Sequence, residues 1–117
     1  MIPEFWRKFV DENDLLGKEI EVAEESDLSG LGADLKIMTW EQAKSESAEF
    51  HPGIEAAKRG YFPVAMCLEG SGDYYYINAQ RENGPLFRIN HDSVVGEELE
   101  ESGVEMVLES YVQLLPK

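Results

Sequence analysis

The chain has 117 residues, of which 43% are hydrophobic and 29% charged. The hydrophobic fraction is sufficient for one compact core, and the chain is too short for two domains. We therefore expect a single domain over residues 1–117. One cysteine, Cys67, excludes an internal disulfide and favours a reducing, cytoplasmic compartment. The longest apolar run, residues 61–68, is too short to span a bilayer.

The formal net charge is −14, from 24 acidic and 10 basic residues. Residues 11–27 contain eight acids against Lys18 alone, and residues 97–109 contain six acids and no base. Such a surface repels nucleic acids and anionic lipids but accelerates encounter with a basic protein. Solubility alone is the alternative explanation. The candidate partner-binding carboxylates are Glu24, Glu25, Asp27, Glu97, Glu98, Glu100 and Glu101.

An amphipathic helix is predicted at the N-terminus. Its apolar residues recur with a helical period, and Pro3 suits the first helical position. We expect this stripe, Trp6 included, to lie in the core. Its members are Ile2, Phe5, Trp6, Phe9 and Val10.

Two short strands are predicted next, over residues 19–22 and 35–37, from their alternating apolar pattern. A second helix is predicted to begin at Thr39, because Thr39 and Gln42 have the spacing of a capping box. The sequence His51-Pro52-Gly53 ends that helix, and residues 54–59 are expected to form a further turn or two.

The centre of the chain predicts a β-meander over residues 61–69, 73–79 and 86–90. Gly70-Ser71-Gly72 and Asn83-Gly84 supply the turns, and Pro63 and Pro85 belong at strand starts or edges. Alternation sends Tyr75 to the opposite face from Tyr74 and Tyr76, so one set is buried. The other set is either open to a partner or engaged in cross-strand aromatic packing. Tyr75 and Asp73 are therefore added to the candidate contacts.

An amphipathic helix is predicted to close the chain. Residues 102–105 have a capping-box pattern, and the apolar residues after them recur at helical spacing. These residues are Val104, Val107, Leu108, Tyr111 and Leu115. The predicted fold class is therefore α+β, with one antiparallel sheet packed against N-terminal and C-terminal helices.

Three stretches, in this order, resemble the SUKH superfamily, which includes a yeast cell-wall-assembly regulator and many bacterial immunity proteins. Residues 2–9 (IPEFWRKF) resemble its opening helix. Residues 61–65 (YFPVA) with 70–77 (GSGDYYYI) resemble its central hairpin, and residues 84–92 (GPLFRINHD) resemble a later strand. The stretch 15–34 matches nothing in that pattern.

The resemblance implies an α+β fold without catalytic residues. It also implies a protein-binding role, either as an immunity protein that neutralises a basic, nuclease-type toxin or as a regulatory adaptor without a toxin. Carboxylates that cover a nuclease's cationic cleft would exclude the phosphate backbone.

Catalytic, cofactor and metal sites are not expected. His91-Asp92 with Cys67 or Ser71 as nucleophile would need a third, orienting group, and Cys67 stands in an apolar strand. Residues 70–72 do not form a phosphate-binding loop, because no helix is predicted after them and no lysine or arginine is adjacent. A calcium loop counted from Asp11 lacks both its glycine and its final glutamate. A small-molecule pocket or an enzyme centred on Cys67, Tyr74 and His91 is the third hypothesis.

Overall fold

The computed structural model describes residues 2–70 and 72–115, and within them the chain is α+β. The helices are α1 (Glu4–Glu12), α2 (Trp40–Glu49) and α3 (Gly53–Lys58). The strands are β1 (Glu19–Val22), β2 (Ala33–Ile37), β3 (Tyr61–Cys67), β4 (Tyr74–Asn78), β5 (Leu86–Ile89), β6 (Val94–Val95), β7 (Glu98–Leu99) and β8 (Val104–Leu108). Two 3₁₀ turns, Glu101–Gly103 and Tyr111–Leu114, complete these elements.

The main sheet is a single antiparallel sheet of order β1-β2-β3-β4-β5-β8, as the fold-class prediction required, with β6 and β7 forming a separate ribbon. Both faces of the curled sheet are covered. The larger core contains Trp6 and the strand residues that share a face with Tyr75. The smaller core, on the opposite face, contains Ala56 of α3, Tyr76, Ile89 and Leu99 of the ribbon.

The aromatic stripe of α1 lies in the core, as predicted. Trp6 is buried and meets the ring of Tyr111 edge-on, with centroids 5.3 Å apart. Phe5 and Phe9 also contact Tyr111, at centroid distances of 6.3 and 4.9 Å. Tyr111 is therefore a shared contact of the three aromatic side chains of the first helix.

The capping box predicted for α2 is present. The Thr39 hydroxyl accepts a hydrogen bond from the Gln42 backbone N–H, and the Gln42 side chain accepts one from the Thr39 N–H. Gly53 then begins α3 against the Glu46 carbonyl, so closely that any Cβ at this position would collide with that carbonyl. Glycine is therefore required where the two helices meet.

The predicted meander corresponds to β3, β4 and β5, each within two residues of its predicted limits. Asn83 has the positive φ (58°) expected of a turn, but residues 79–85 form a longer connection than a two-residue hairpin. Pro63 lies inside β3 beside a bulge, where β2 no longer pairs with the strand, so the missing N–H breaks no ladder. Ser71, in the predicted turn between β3 and β4, lies outside the described residues.

The predicted C-terminal helix is wrong. Residues 104–108 form β8, which pairs with β5, and the capping box lies later, at Ser110 and Gln113 of the second 3₁₀ turn. A bulge between Leu86 and Phe87 explains the misleading pattern, because it turns the consecutive residues Val107 and Leu108 both inward. Together with Val104, they reproduce helical spacing in a strand.

Replacing Trp6 by alanine should lower the free energy of unfolding by about 3–5 kcal/mol, because a large core side chain is lost. Phe50→Ala is the matched control, since the Phe50 side chain is 53% exposed, and it should change the free energy by less than about 1 kcal/mol. Urea unfolding followed by circular dichroism measures both. Equal effects would show that the stripe is not the core.

Candidate protein-binding surface

Arg88 of β5 is a buried cation that fixes the loop between β1 and β2 (residues 23–32) onto the sheet. Its guanidinium donates to the Asp27 carboxylate at 3.2 Å, to the Gly32 carbonyl at 2.8 Å and to the Ser29 hydroxyl at 3.1 Å. It also lies over the ring of Tyr75, 5.4 Å from the centroid. The loop is thus tied to the sheet at three points by one side chain.

Two of the predicted contact residues belong to this interior cluster. The Asp27 side chain has no exposed area, and Tyr75 is 1% exposed. Burial of both Tyr75 and Tyr76 follows from the covering of both sheet faces, which strand alternation alone does not reveal. Neither Asp27 nor Tyr75 can contact a partner in this conformation.

An acidic groove lies at the β1–β2 end of the sheet, and we define it by Glu21, Glu24, Asp34 and Glu69 around Leu31. It has a volume of about 420 Å³, and the Leu31 side chain is 65% exposed. Glu21 and Asp34 stand directly opposite each other across β1 and β2, where like charges destabilise a sheet.

No basic nitrogen within the described chain lies within 4.0 Å of these four carboxylates. The groove therefore concentrates negative charge beside an exposed leucine, and its carboxylates form no ion pair with the described residues.

A smaller cavity of about 160 Å³ adjoins the groove and shares Leu31, Gly32 and Glu69 with it. Asp73 and Cys67 also line this cavity. Asp73 holds the imidazole of His91, with Oδ1 2.7 Å from Nδ1, and accepts the His91 backbone N–H at 2.9 Å. The hydrogen bond to Asp73, and then the charge of Asp92, raise the pKa of His91.

The three residues of the small-molecule hypothesis are not brought together. Cys67 lines the small cavity, on the face of the sheet that carries Tyr75. Tyr74 points to the other face, where it lines a cleft with Met66 and α2. Both ring nitrogens of His91 face carboxylates, those of Asp73 and Asp92.

Four of the six acids in residues 97–109 form a separate surface along the β6–β7 ribbon and the 3₁₀ turn after it. Glu97, Glu98 and Glu100 are exposed. Glu101 is partly neutralised, because its carboxylate accepts hydrogen bonds from Arg59 at 3.0 Å and from the Tyr61 hydroxyl at 3.4 Å. None of these residues lines the acidic groove.

Of the predicted contacts, only Glu24 lines the groove, Asp73 lies beside it, and Glu25 is exposed on the same loop. Asp34, Glu69 and Leu31 were not candidates. Glu21 belongs to the acidic run of residues 11–27 but is not among the predicted contacts. Asp34 and Glu69 stand far apart in sequence and become neighbours through the pairing of β2 with β3, a register that the sequence does not specify.

Comparisons with protein-family models, with curated proteins and with solved structures found no match. The resemblance to the SUKH superfamily therefore remains a prediction. Among the described residues, none of the helices has the length and apolar character needed to cross a membrane.

Arg88→Met should lower the free energy of unfolding by about 3–5 kcal/mol, because the buried Asp27 carboxylate loses its cation. Arg59→Met removes the exposed pair with Glu101 and should cost less than about 1 kcal/mol. Adding Asp27→Asn to Arg88→Met should recover part of the loss. Denaturant unfolding of all three variants measures these free energies. An effect of Arg88→Met no larger than that of Arg59→Met would contradict the role of Arg88 in holding the loop on the sheet.

The imidazole of His91 should titrate above its ordinary value of 6.5. Since the folded-state pKa is raised, the stabilisation is complete below the unfolded-state pKa and is lost as the pH rises through the folded-state pKa. Asp73→Asn should lower the pKa of His91 more than Asp92→Asn does, as measured by NMR titration of the ring protons. The reverse order would contradict the assigned cause.

Proposed function

We propose that this chain is a non-catalytic protein-binding domain that captures a basic surface of another protein in its acidic groove. The observation that carries the proposal is the like-charged pair Glu21–Asp34, which shares the groove with Glu24 and Glu69. None of these four carboxylates forms an ion pair with a cation of the described chain. Such crowding raises the free energy of the unbound protein. A bound lysine or arginine relieves it.

The exposed side chain of Leu31 gives the groove a second kind of contact. Lysine and arginine carry long aliphatic stems that cover apolar surface while the charged head stays among polar groups. A basic side chain entering the groove can therefore place its stem on Leu31 and its head among the four carboxylates. The net charge of −14 adds long-range attraction that accelerates the encounter.

The hydrogen bonds of Arg88 to the β1–β2 loop support the same function, because they order the loop before a partner binds. Asp27 and Ser29 are bound to Arg88, so the neighbouring Glu24 and Leu31 are carried on a fixed segment. A preformed surface loses less conformational entropy on binding than a free loop.

The nature of the partner is the narrower part of the proposal. The resemblance to SUKH domains favours an immunity protein that covers the cationic cleft of a nuclease-type toxin. In that case the partner should be encoded by a neighbouring gene. An adaptor of the yeast-regulator type would bind a basic protein that is not toxic. The two cases differ in one outcome: co-expression of this chain restores the growth of cells that express the partner only if the partner is a toxin.

The experiment measures association with the product of the adjacent upstream gene by biolayer interferometry at low and physiological salt. The groove variant E21Q/E24Q/D34N/E69Q should bind at least about tenfold more weakly than the wild type at low salt. The matched control D11N/E41Q/E82Q/E109Q removes the same charge from other exposed positions and should lose much less.

A third variant, E97Q/E98Q/E100Q, tests the ribbon. Weakened binding in this variant alone would place the contact on the ribbon and contradict the groove. Binding of the wild type that does not fall as salt screens the exposed charges would contradict electrostatic capture altogether.

A further inference from the structure

The curled sheet leaves a cleft along its first strand. One part of the cleft, of about 540 Å³, is lined by β1, by Leu108 of β8 and by residues 113–115. A second part, of about 500 Å³, continues past Ile20 and Leu115 to Leu15 and Lys18. We define this region as the edge cleft. Its volume is in the range of ligand-binding sites.

The two edge strands differ in how far they are already occupied. The Val107 carbonyl of β8 accepts a hydrogen bond from the Leu28 backbone N–H, at 2.9 Å, so the β1–β2 loop covers part of that edge. β1 has β2 as its neighbour on one side and the cleft on the other. The open edge of this sheet is therefore β1.

The ladder identifies which backbone groups of β1 face the cleft. The Ile37 N–H donates to the Lys18 carbonyl at 2.9 Å, and hydrogen-bonded pairs alternate along antiparallel strands. The register then makes Ile20–Leu35 and Val22–Ala33 the bonded pairs. The N–H and C=O groups of Glu19 and Glu21 consequently point away from β2.

The side chains of β1 indicate what kind of strand could pair with it. Glu19 and Glu21 are exposed on one face, whereas Ile20 lines the cleft and Val22 is buried. Residues paired across antiparallel strands share a face. An added strand would therefore place basic residues opposite Glu19 and Glu21, and an apolar residue opposite Ile20, against Leu114.

A second copy of the chain fits this edge poorly. Antiparallel pairing of two β1 strands about Ile20 would set Glu19 of each copy opposite Glu21 of the other, and like charges in that position are destabilising. Short acidic edge strands protect proteins from self-association for this reason. The same charges attract a cationic strand.

We infer that β1 accepts an extended segment of alternating basic and apolar residues, which joins the sheet as an additional antiparallel strand in the edge cleft. The inference rests on the proposed function, because it assigns the basic partner a binding geometry. Main-chain hydrogen bonds at Glu19 and Glu21 supply affinity, and the alternation of side chains supplies specificity.

The test uses the capped peptide Lys-Val-Lys-Val-Lys, whose lysines would lie opposite Ala23, Glu21 and Glu19. N-methylation of the second and third lysine amides removes the N–H groups that would bond to β1. N-methylation of the two valine amides is the matched control, since those groups point away. Calorimetry at low salt should show the lysine-methylated peptide binding about tenfold more weakly than the other two.

Hydrogen exchange measured by NMR gives an independent readout. The amides of Glu19 and Glu21 should exchange more slowly in the presence of the unmodified peptide. In a protein variant, Glu21→Pro should weaken binding more than Glu21→Gln does, because proline also removes the outward N–H. Proline is tolerated at an edge position of this kind, and should this variant not fold, the methylated peptides decide.

Equal affinity of the two methylated peptides, absence of peptide binding, or unchanged exchange at Glu19 and Glu21 would each overturn strand addition. Slowed exchange that depends on protein concentration alone would overturn it too, by showing a second copy at the edge. In any of these cases, a weakened groove variant in the partner assay would leave the proposed function intact. The two conclusions can therefore fail separately.

Discussion

The buried ion pair between Arg88 and Asp27 determines where the acidic groove can exist. A charge in the interior is tolerated when it is paired and hydrogen-bonded, and Arg88 meets that condition with Asp27, Ser29 and the Gly32 carbonyl. All three partners come from the loop between β1 and β2. The loop is consequently held against the sheet, and it carries Glu24 and Leu31 to the place where Asp34 and Glu69 already stand.

The same loop covers one edge strand of the sheet and leaves the other edge strand open. Leu28 covers part of β8 through its bond to Val107, while β1 stays open beside the cleft. Glu21 lines both the acidic groove and the edge cleft. A partner strand lying along β1 would therefore bring its basic residues to the carboxylates that the groove gathers. The proposed capture and the inferred strand addition thus concern one continuous region of the molecule.

Several elements could be read from the sequence because their signals are local. The capping box at Thr39 and Gln42, the aromatic stripe around Trp6, and the strands of the meander depend on residues a few positions apart. The C-terminal segment imitates helical periodicity because a β-bulge opposite β5 turns Val107 and Leu108 inward together. A bulge depends on the partner strand, so no local pattern distinguishes it from a helical turn.

Composition and short-range periodicity carry the α+β class, the acidic character and the core role of the first helix, so these properties follow from the order of the amino acids. Which acids are available depends instead on the packing of the folded chain. It buried Asp27 beneath Arg88, covered Tyr75, and joined Glu21 to Asp34 and Glu69 through strand register. Burial and register arise from contacts between distant segments, and a charge run in the sequence does not show whether its members face water, a cation or one another.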